Sequence, residues 1–261
     1  MKLIGAGLPR SGTLSTRSAL ESLDYAPCFH GDTLAAHQLT GPVTAFYRGE
    51  KEPLLNELKS YRAMLDFPLV ALVDELIEHY PDARVLLTVR DSAEVWVRSF
   101  RQTVWKLMQL PWYTRIHSWF GGTPVTVVSP EFNQLFDLFF QRIVDRGNRT
   151  ATEQQRLRRY NRDFTDDEYA LMYDNWIEFI RKIVPRERLL VFNVKQGVAP
   201  LADFCQKPTP VWPMPNVNDK KRFGFLMEYL KELCWFSFLP GQKRMTTKPH
   251  LTRLWRFACM G

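Results

Sequence analysis

Residues 1–21 read MKLIGAGLPRSGTLSTRSALE, and the run Gly7-Leu8-Pro9-Arg10-Ser11-Gly12-Thr13-Leu14-Ser15 within them decides how the rest of the chain is read. The apolar run Lys2 to Ala6 has the composition of a strand, and Thr13 to Leu23 reads as a helix. A strand, a glycine loop and a helix in that order make an anion site. The first-turn N–H groups of a helix lack internal acceptors and lie at the positive end of its macrodipole. Here the amides of Ser11 to Ser15 would face the anion, with the Ser11, Thr13 and Ser15 hydroxyls as further donors. A nucleotide-hydrolysing loop continues G-x-x-x-x-G-K-[ST], with lysine on the β/γ-phosphates and the hydroxyl on magnesium. Thr13 and Leu14 stand at those two positions, and Leu14 cannot hold a metal. The nearby cation, Arg10, lies inside the loop. The pattern predicts a site for a single terminal phosphate, without a metal; a ligand-free glycine turn is the structural alternative.

Outward from the loop, Ala63 to Leu65, Arg84 to Val89 and Arg188 to Val194 have the composition of buried parallel strands. Leu69 to Tyr80, Ala93 to Leu107 and Asp166 to Ile183 read as amphipathic helices. This alternation builds right-handed crossover units, so the expected fold class is α/β: a three-layer α/β/α sandwich with a central parallel sheet. The alternation lapses between about Lys106 and Asp163, where Trp105, Trp112, Tyr113, Trp119 and Phe120 precede the aromatic run Phe132 to Phe140 and the basic stretch QQRLRRYNR. This helical, aromatic-rich insertion (106–163) either walls a pocket for an apolar substrate or forms a subdomain with its own small core. Pro208 to Pro215, with four prolines, is an extended connection. The rest (220–261) is a basic, aromatic tail on what reads as a single domain over 1–261.

Bulk properties narrow the ligand. A net charge of +7, from 35 Lys and Arg against 28 Asp and Glu, favours anions but is spread along the chain. A small polyanion fits this better than a nucleic-acid track. Cys28, Cys205, Cys234 and Cys259 are far apart, so neither a zinc site nor a disulfide frame is suggested. With no visible signal peptide and no apolar run of membrane-spanning length, the expected setting is cytoplasmic. The apolar stretch LCWFSFL (233–239) is either a buried last helix or a peripheral membrane or partner contact.

Five segments in order, LPRSGT (8–13), YRAMLDFP (61–68), VLLTVRDSAEVWVRS (85–99), RLLVFNVKQG (188–197) and MPNVND (214–219), resemble the sulfotransferase superfamily. The likeness is greatest to its P-loop-fold branch of small soluble enzymes from fungi, invertebrates and flatworms. It implies a P-loop NTPase-like fold and a sulfotransferase of EC 2.8.2 type, drawing the sulfuryl group from 3′-phosphoadenosine-5′-phosphosulfate (PAPS). The product would be adenosine 3′,5′-bisphosphate (PAP), and no metal takes part.

The resemblance assigns roles residue by residue. Arg10, Ser11, Gly12, Thr13, Leu14 and Ser15 would hold the 5′-phosphate, and Arg10 stands where the family has a basic residue, often lysine. Arg10 would stabilise charge on the leaving oxygen but cannot serve as a general acid, because a guanidinium keeps its proton. Arg90 and Ser99 would hold the 3′-phosphate, although nine residues separate them where eight is common. Lys195 and Gly197 would close over the 3′-phosphate and adenine, with Val198 where relatives often carry an aromatic. Asp66, in Asp66-Phe67-Pro68, would be the general base, its pKa raised by burial. His30 is a substrate contact and reserve base, and Phe67 and Trp105 would line the site of a small, apolar acceptor. Structural alternatives are a capping box from Asp91 to Glu94, Arg90 paired only with a carboxylate, and Asp66 capping the helix after Pro68. The rival functions are a nucleotide kinase or NTPase, and a non-catalytic interaction protein on the same fold.

Overall fold

A computed structural model of the chain describes residues 1–37, 39–108, 130–146 and 164–217. Five parallel strands, β1 (Leu3–Gly5), β2 (Cys28–Phe29), β3 (Ala63–Met64), β4 (Arg84–Thr88) and β5 (Leu189–Phe192), form one sheet in the order β2-β3-β1-β4-β5. β1 lies between β3 and β4, with Ile4 opposite Met64 on one side and Val85 on the other. Successive side chains of a strand face opposite ways. Leu3, Ala63 and Leu86 therefore join the core on one face with Ala19, Leu20 and Leu201, while Ile4, Met64 and Val85 join the larger core on the other. These faces are the two seams of a three-layer α/β/α fold.

The helices follow the periodicity with local departures. α1 (Thr13–Leu20) runs on into a π-helical turn, Glu21–Tyr25, so the coil continues up to the expected end, where Leu23 and Asp24 leave helical geometry and Asp24 turns left-handed at φ 71°. Cys28–Phe29 becomes a strand that composition did not reveal; it is two residues long and exists through pairing with β3. α2 (Gly31–Ala36), α3 (Thr40–Tyr47) and α4 (Glu52–Leu58) lead to β3. The expected helix from Leu69 to Tyr80 is a 3₁₀ segment, Leu69–Leu72, followed by α5 (Val73–His79). The expected helix from Ala93 to Leu107 divides into α6 (Ala93–Arg101) and α7 (Val104–Met108). At the break the Thr103 hydroxyl donates to the Ser99 carbonyl at 2.6 Å, the back-bonding by which threonine bends helices.

α8 (Pro130–Arg146) carries the aromatic run, and Phe136, Phe139 and Phe140 pack into the main core with Phe67 and Phe100. This part of the insertion shares the main core rather than having one of its own. An ionic cluster fixes α8 to α5, with Arg146 Nε donating to Asp74 at 2.8 Å and Arg142 2.6 Å from Glu75. α9 (Asp166–Ile183) has the expected limits, closed at its start by a Thr165–Glu168 capping box. α10 (Ala199–Phe204) precedes the extended proline segment. The insertion aromatics Trp112, Tyr113, Trp119 and Phe120, and the tail 220–261, lie outside the described residues. Among the described residues no helix is long and apolar enough to cross a membrane.

Candidate active site

Because every strand is parallel, the chain leaves all five at one edge of the sheet. There the Gly7 to Gly12 loop follows β1, His30 follows β2, Asp66 follows β3, Arg90 follows β4 and Lys195 follows β5. The chain runs outward one way to β2 and the other way to β5, so β1 marks the switch point where open α/β sheets bind ligands.

The loop is held by donors from elsewhere. Trp176 Nε1 donates to the Ala6 carbonyl at 2.7 Å, Trp96 Nε1 to Pro9 at 2.8 Å, and Arg90 Nε to Arg10 at 2.7 Å. Carbonyls are the negative ends of peptide dipoles, and these three are engaged by cross-chain donors rather than left facing an anion. Ser11 turns inward: its N–H and its hydroxyl both donate to the Leu8 carbonyl, and the hydroxyl accepts from Thr88 Oγ1 at 2.6 Å. Ser11 therefore shapes the loop, which leaves the amides of Gly12 to Ser15 and the Thr13 and Ser15 hydroxyls as the candidate anion donors. Leu14, half-buried, offers its backbone alone. Val217, in the extended segment, donates its N–H to Ser15 Oγ at 3.3 Å.

Two glycines are required sterically. A Cβ on Gly7 would lie 1.8 Å from Thr88 Oγ1, and one on Gly12 2.6 Å from Val194 Cγ1, where φ is also 98°. Arg10 itself is left-handed at φ 74°, a conformation costly for a long side chain and upheld by the ties on either side. It is 7% exposed, and its Nε donates to Ser99 Oγ at 3.3 Å. Burial first, and then the neighbouring Arg90, pushes its guanidinium down to about 10, while Asp66 acts in the opposite sense. Such a group stays charged at neutral pH yet has little water, so an incoming anion replaces solvation the fold has already removed. This basin fits a phosphate.

Ser99 reaches the site despite the longer spacing, because it shares a helical face with Trp96 three residues before it. Trp96 stacks on Tyr173, 4.8 Å between ring centroids, and the Tyr173 hydroxyl accepts the Arg90 N–H at 2.8 Å. Burial pushes the Tyr173 phenol up to about 12. The Arg90 guanidinium supports the Arg10 carbonyl rather than pairing only with a carboxylate. Ser92, not Asp91, caps α6, accepting from the Val95 N–H. Asp91 instead accepts from Lys195 Nζ and from Asn193 Nδ2, so Lys195 stands at the rim in an exposed ion pair. Gly197 is left-handed at φ 80° with open space where a Cβ would be.

Opposite the loop, Asp66 is left-handed at φ 72°, and its Oδ2 lies 3.3 Å from His30 Nε2. Its side chain faces His30, while its backbone carbonyl accepts the Val70 N–H; Pro68 heads the following turn, so Asp66 is not the cap. His30 is buried, and Nε2 is also 3.3 Å from the Thr13 hydroxyl. Phe67 packs on Phe136 and Phe139, with centroids 5.0 and 5.1 Å away. Trp105 is half-buried with its ring 5.0 Å from the Arg101 guanidinium carbon. Trp176 and Tyr173 escaped the sequence reading, as did the loop-holding role of Trp96. Their signal is generic, since a buried indole N–H or phenol needs an acceptor or donor that only the fold supplies. Among the described residues no group of three or more His, Cys, Asp or Glu side chains is placed to hold a metal ion.

A family model described as a sulfotransferase domain matches residues 2–223. Among curated proteins the chain is similar to the Ava biosynthesis cluster protein M of Aspergillus versicolor, 25% identical over 236 residues that cover 83% of this chain and 80% of that protein. The matched span runs from β1 past the segment that reaches Ser15, and so contains every residue of the basin just described. The chain belongs to the sulfotransferase-domain family, which supports sulfotransfer as its general activity.

Proposed function

We propose that the protein transfers the sulfuryl group of PAPS to a hydroxyl or amine of a small, apolar acceptor. The observation that carries this reading is a desolvated cation, Arg10, within an amide-lined loop, close to Ser99 and Arg90 on one side and acted on by the Asp66 carboxylate on the other. PAPS supplies an activated sulfuryl group on its 5′-phosphate and carries the 3′-phosphate that ATP lacks. The amides of Gly12 to Ser15 hold the 5′-phosphate, and Arg10 bears on the bridging oxygen as negative charge grows there. Arg90 and Ser99 hold the 3′-phosphate, with Lys195 and Gly197 closing that side. Asp66 takes the acceptor's proton while the acceptor oxygen or nitrogen bonds to sulfur and the sulfur–oxygen bond to the phosphate breaks. Phe67 and Trp105 bound the acceptor, and His30 meets Asp66 from α2. The buried free thiols of Cys28 and Cys205 fit a reducing, cytoplasmic setting.

The test is thermal denaturation with PAP or PAPS in the absence of magnesium. Saturation at a hundred times Kd adds about 2.7 kcal/mol and raises the melting temperature. No shift at millimolar ligand overturns the donor assignment, and a shift that needs magnesium and ATP points to a kinase or NTPase. Labelled PAPS with a panel of phenols, alcohols and amines, blanked with Asp66→Asn, then identifies the acceptor class.

A further inference from the structure

His30 Nε2 lies the same distance, 3.3 Å, from two oxygens with different duties: Thr13 Oγ1 in the first turn of the anion site, and Asp66 Oδ2 at the acceptor side. His30 heads α2, where the Thr33 N–H donates to the His30 carbonyl at 2.8 Å and the Thr33 hydroxyl accepts the His30 N–H at 3.2 Å, which fixes the backbone that carries the ring. The Asp66 carboxylate oxygen only accepts, so the ring nitrogen 3.3 Å from it, Nε2, carries the proton in the pair, in the neutral tautomer as in the imidazolium. One N–H thus faces two acceptors. Asp66 is also under the field of Arg10, and a Cβ on Gly31 would come 3.3 Å from its Oδ2.

We propose that Thr13 and His30 form a switch that arms the general base when the donor site fills. With the anion site empty, the Nε2–H bonds to the Asp66 carboxylate; this favours its charged form and makes it a weaker base. When a phosphate sits on the first turn of α1, the Thr13 hydroxyl donates to it, and the polarised Thr13 oxygen becomes the better acceptor for Nε2–H. The shared hydrogen bond moves toward Thr13, and Asp66 gains proton affinity while the donor is in place. No bond to hydrogen breaks in this step, and the proton Asp66 later takes comes from the acceptor. Thr13 and His30 are positioning residues, and the inference rests on the donor reading above.

PAP binding should therefore carry net proton uptake, read by isothermal titration in two buffers of different ionisation enthalpy. Asp66→Asn should abolish the uptake, Thr13→Val should reduce it at least threefold with PAP still bound, and Thr13→Ser should restore it. His30→Ala gives a second arm, in which uptake falls as in Thr13→Val. A purely Coulombic effect of the phosphate on Asp66 would persist in both Thr13→Val and His30→Ala, and that result overturns the switch. No binding of PAP to the unaltered protein would overturn the donor reading first and the switch with it.

Discussion

The two halves of the site meet at His30 but are built in opposite ways. The half proposed to hold the donor is a short local sequence whose shape is imposed from outside, its carbonyls taken by Trp176, Trp96 and Arg90. The half proposed for the acceptor turns on one side chain, Asp66, whose neighbour Phe67 packs on two phenylalanines of α8. A cradle of backbone amides works through fixed dipoles and is sensitive to geometry. A carboxylate base works through its proton affinity and is sensitive to chemistry.

Substitutions should separate the halves. Asp66→Asn keeps shape and removes the proposed base, so kcat should fall about 10³-fold. PAP affinity should stay within about threefold of the unaltered value, since Asn retains the side-chain volume. A matching loss of PAP affinity would erase the distinction. Arg10→Ala straddles both halves and should lower kcat about 10²-fold. Its effect on the ligand-free fold has the other sign. A guanidinium held at about 10 is one whose charge folding disfavours, so the variant's melting temperature should match or exceed that of the unaltered chain below that pH.

Gly12→Ala tests the donor half alone. The left-handed φ of 98° and the 2.6 Å approach to Val194 should cost about 2 kcal/mol in urea unfolding, with PAP affinity falling in step. The smallest effect expected concerns the support of the acceptor half. Glu75, which holds Arg142 of α8, is pushed up to about 7, by burial first and Asp74 next, against Arg142 and Arg146. A carboxyl raised from 4.5 keeps its proton more tightly in the folded chain, so stability from this group declines as pH rises from 4.5 through 7. Glu75→Gln lacks that decline. The melting temperature of the unaltered protein relative to the variant should drop across this interval and then level off.

The same contrast explains what could be read from residues alone. β1, its loop and α9 were legible because their signals are local: an apolar run ending at two glycines, and an amphipathic run from Asp166 to Ile183. Asp66 and Arg90 were legible as strand-end residues once the strands were placed. β2 was not, because two residues carry no periodicity and their pairing with β3 is 35 positions away, Cys28 opposite Ala63. Ser92 displaced Asp91 as the α6 cap because Asp91 is engaged by Lys195 and Asn193, from a segment more than a hundred residues later. His30 could be suspected from its position, but not its equal reach to Thr13 and Asp66, which depends on three elements converging.

The ties that hold the loop have a consequence for how the protein becomes active. They span 80 residues from Arg90 to Arg10, 87 from Trp96 to Pro9, 89 from Arg10 to Ser99 and 170 from Trp176 to Ala6. Contacts this remote form late, after long stretches of chain have been closed into place. The glycine loop is synthesised well before α9, yet it lacks its mature outline until α9 docks. Donor competence should therefore appear in one step with completion of the fold, and a chain truncated before α9 should be blind to PAP.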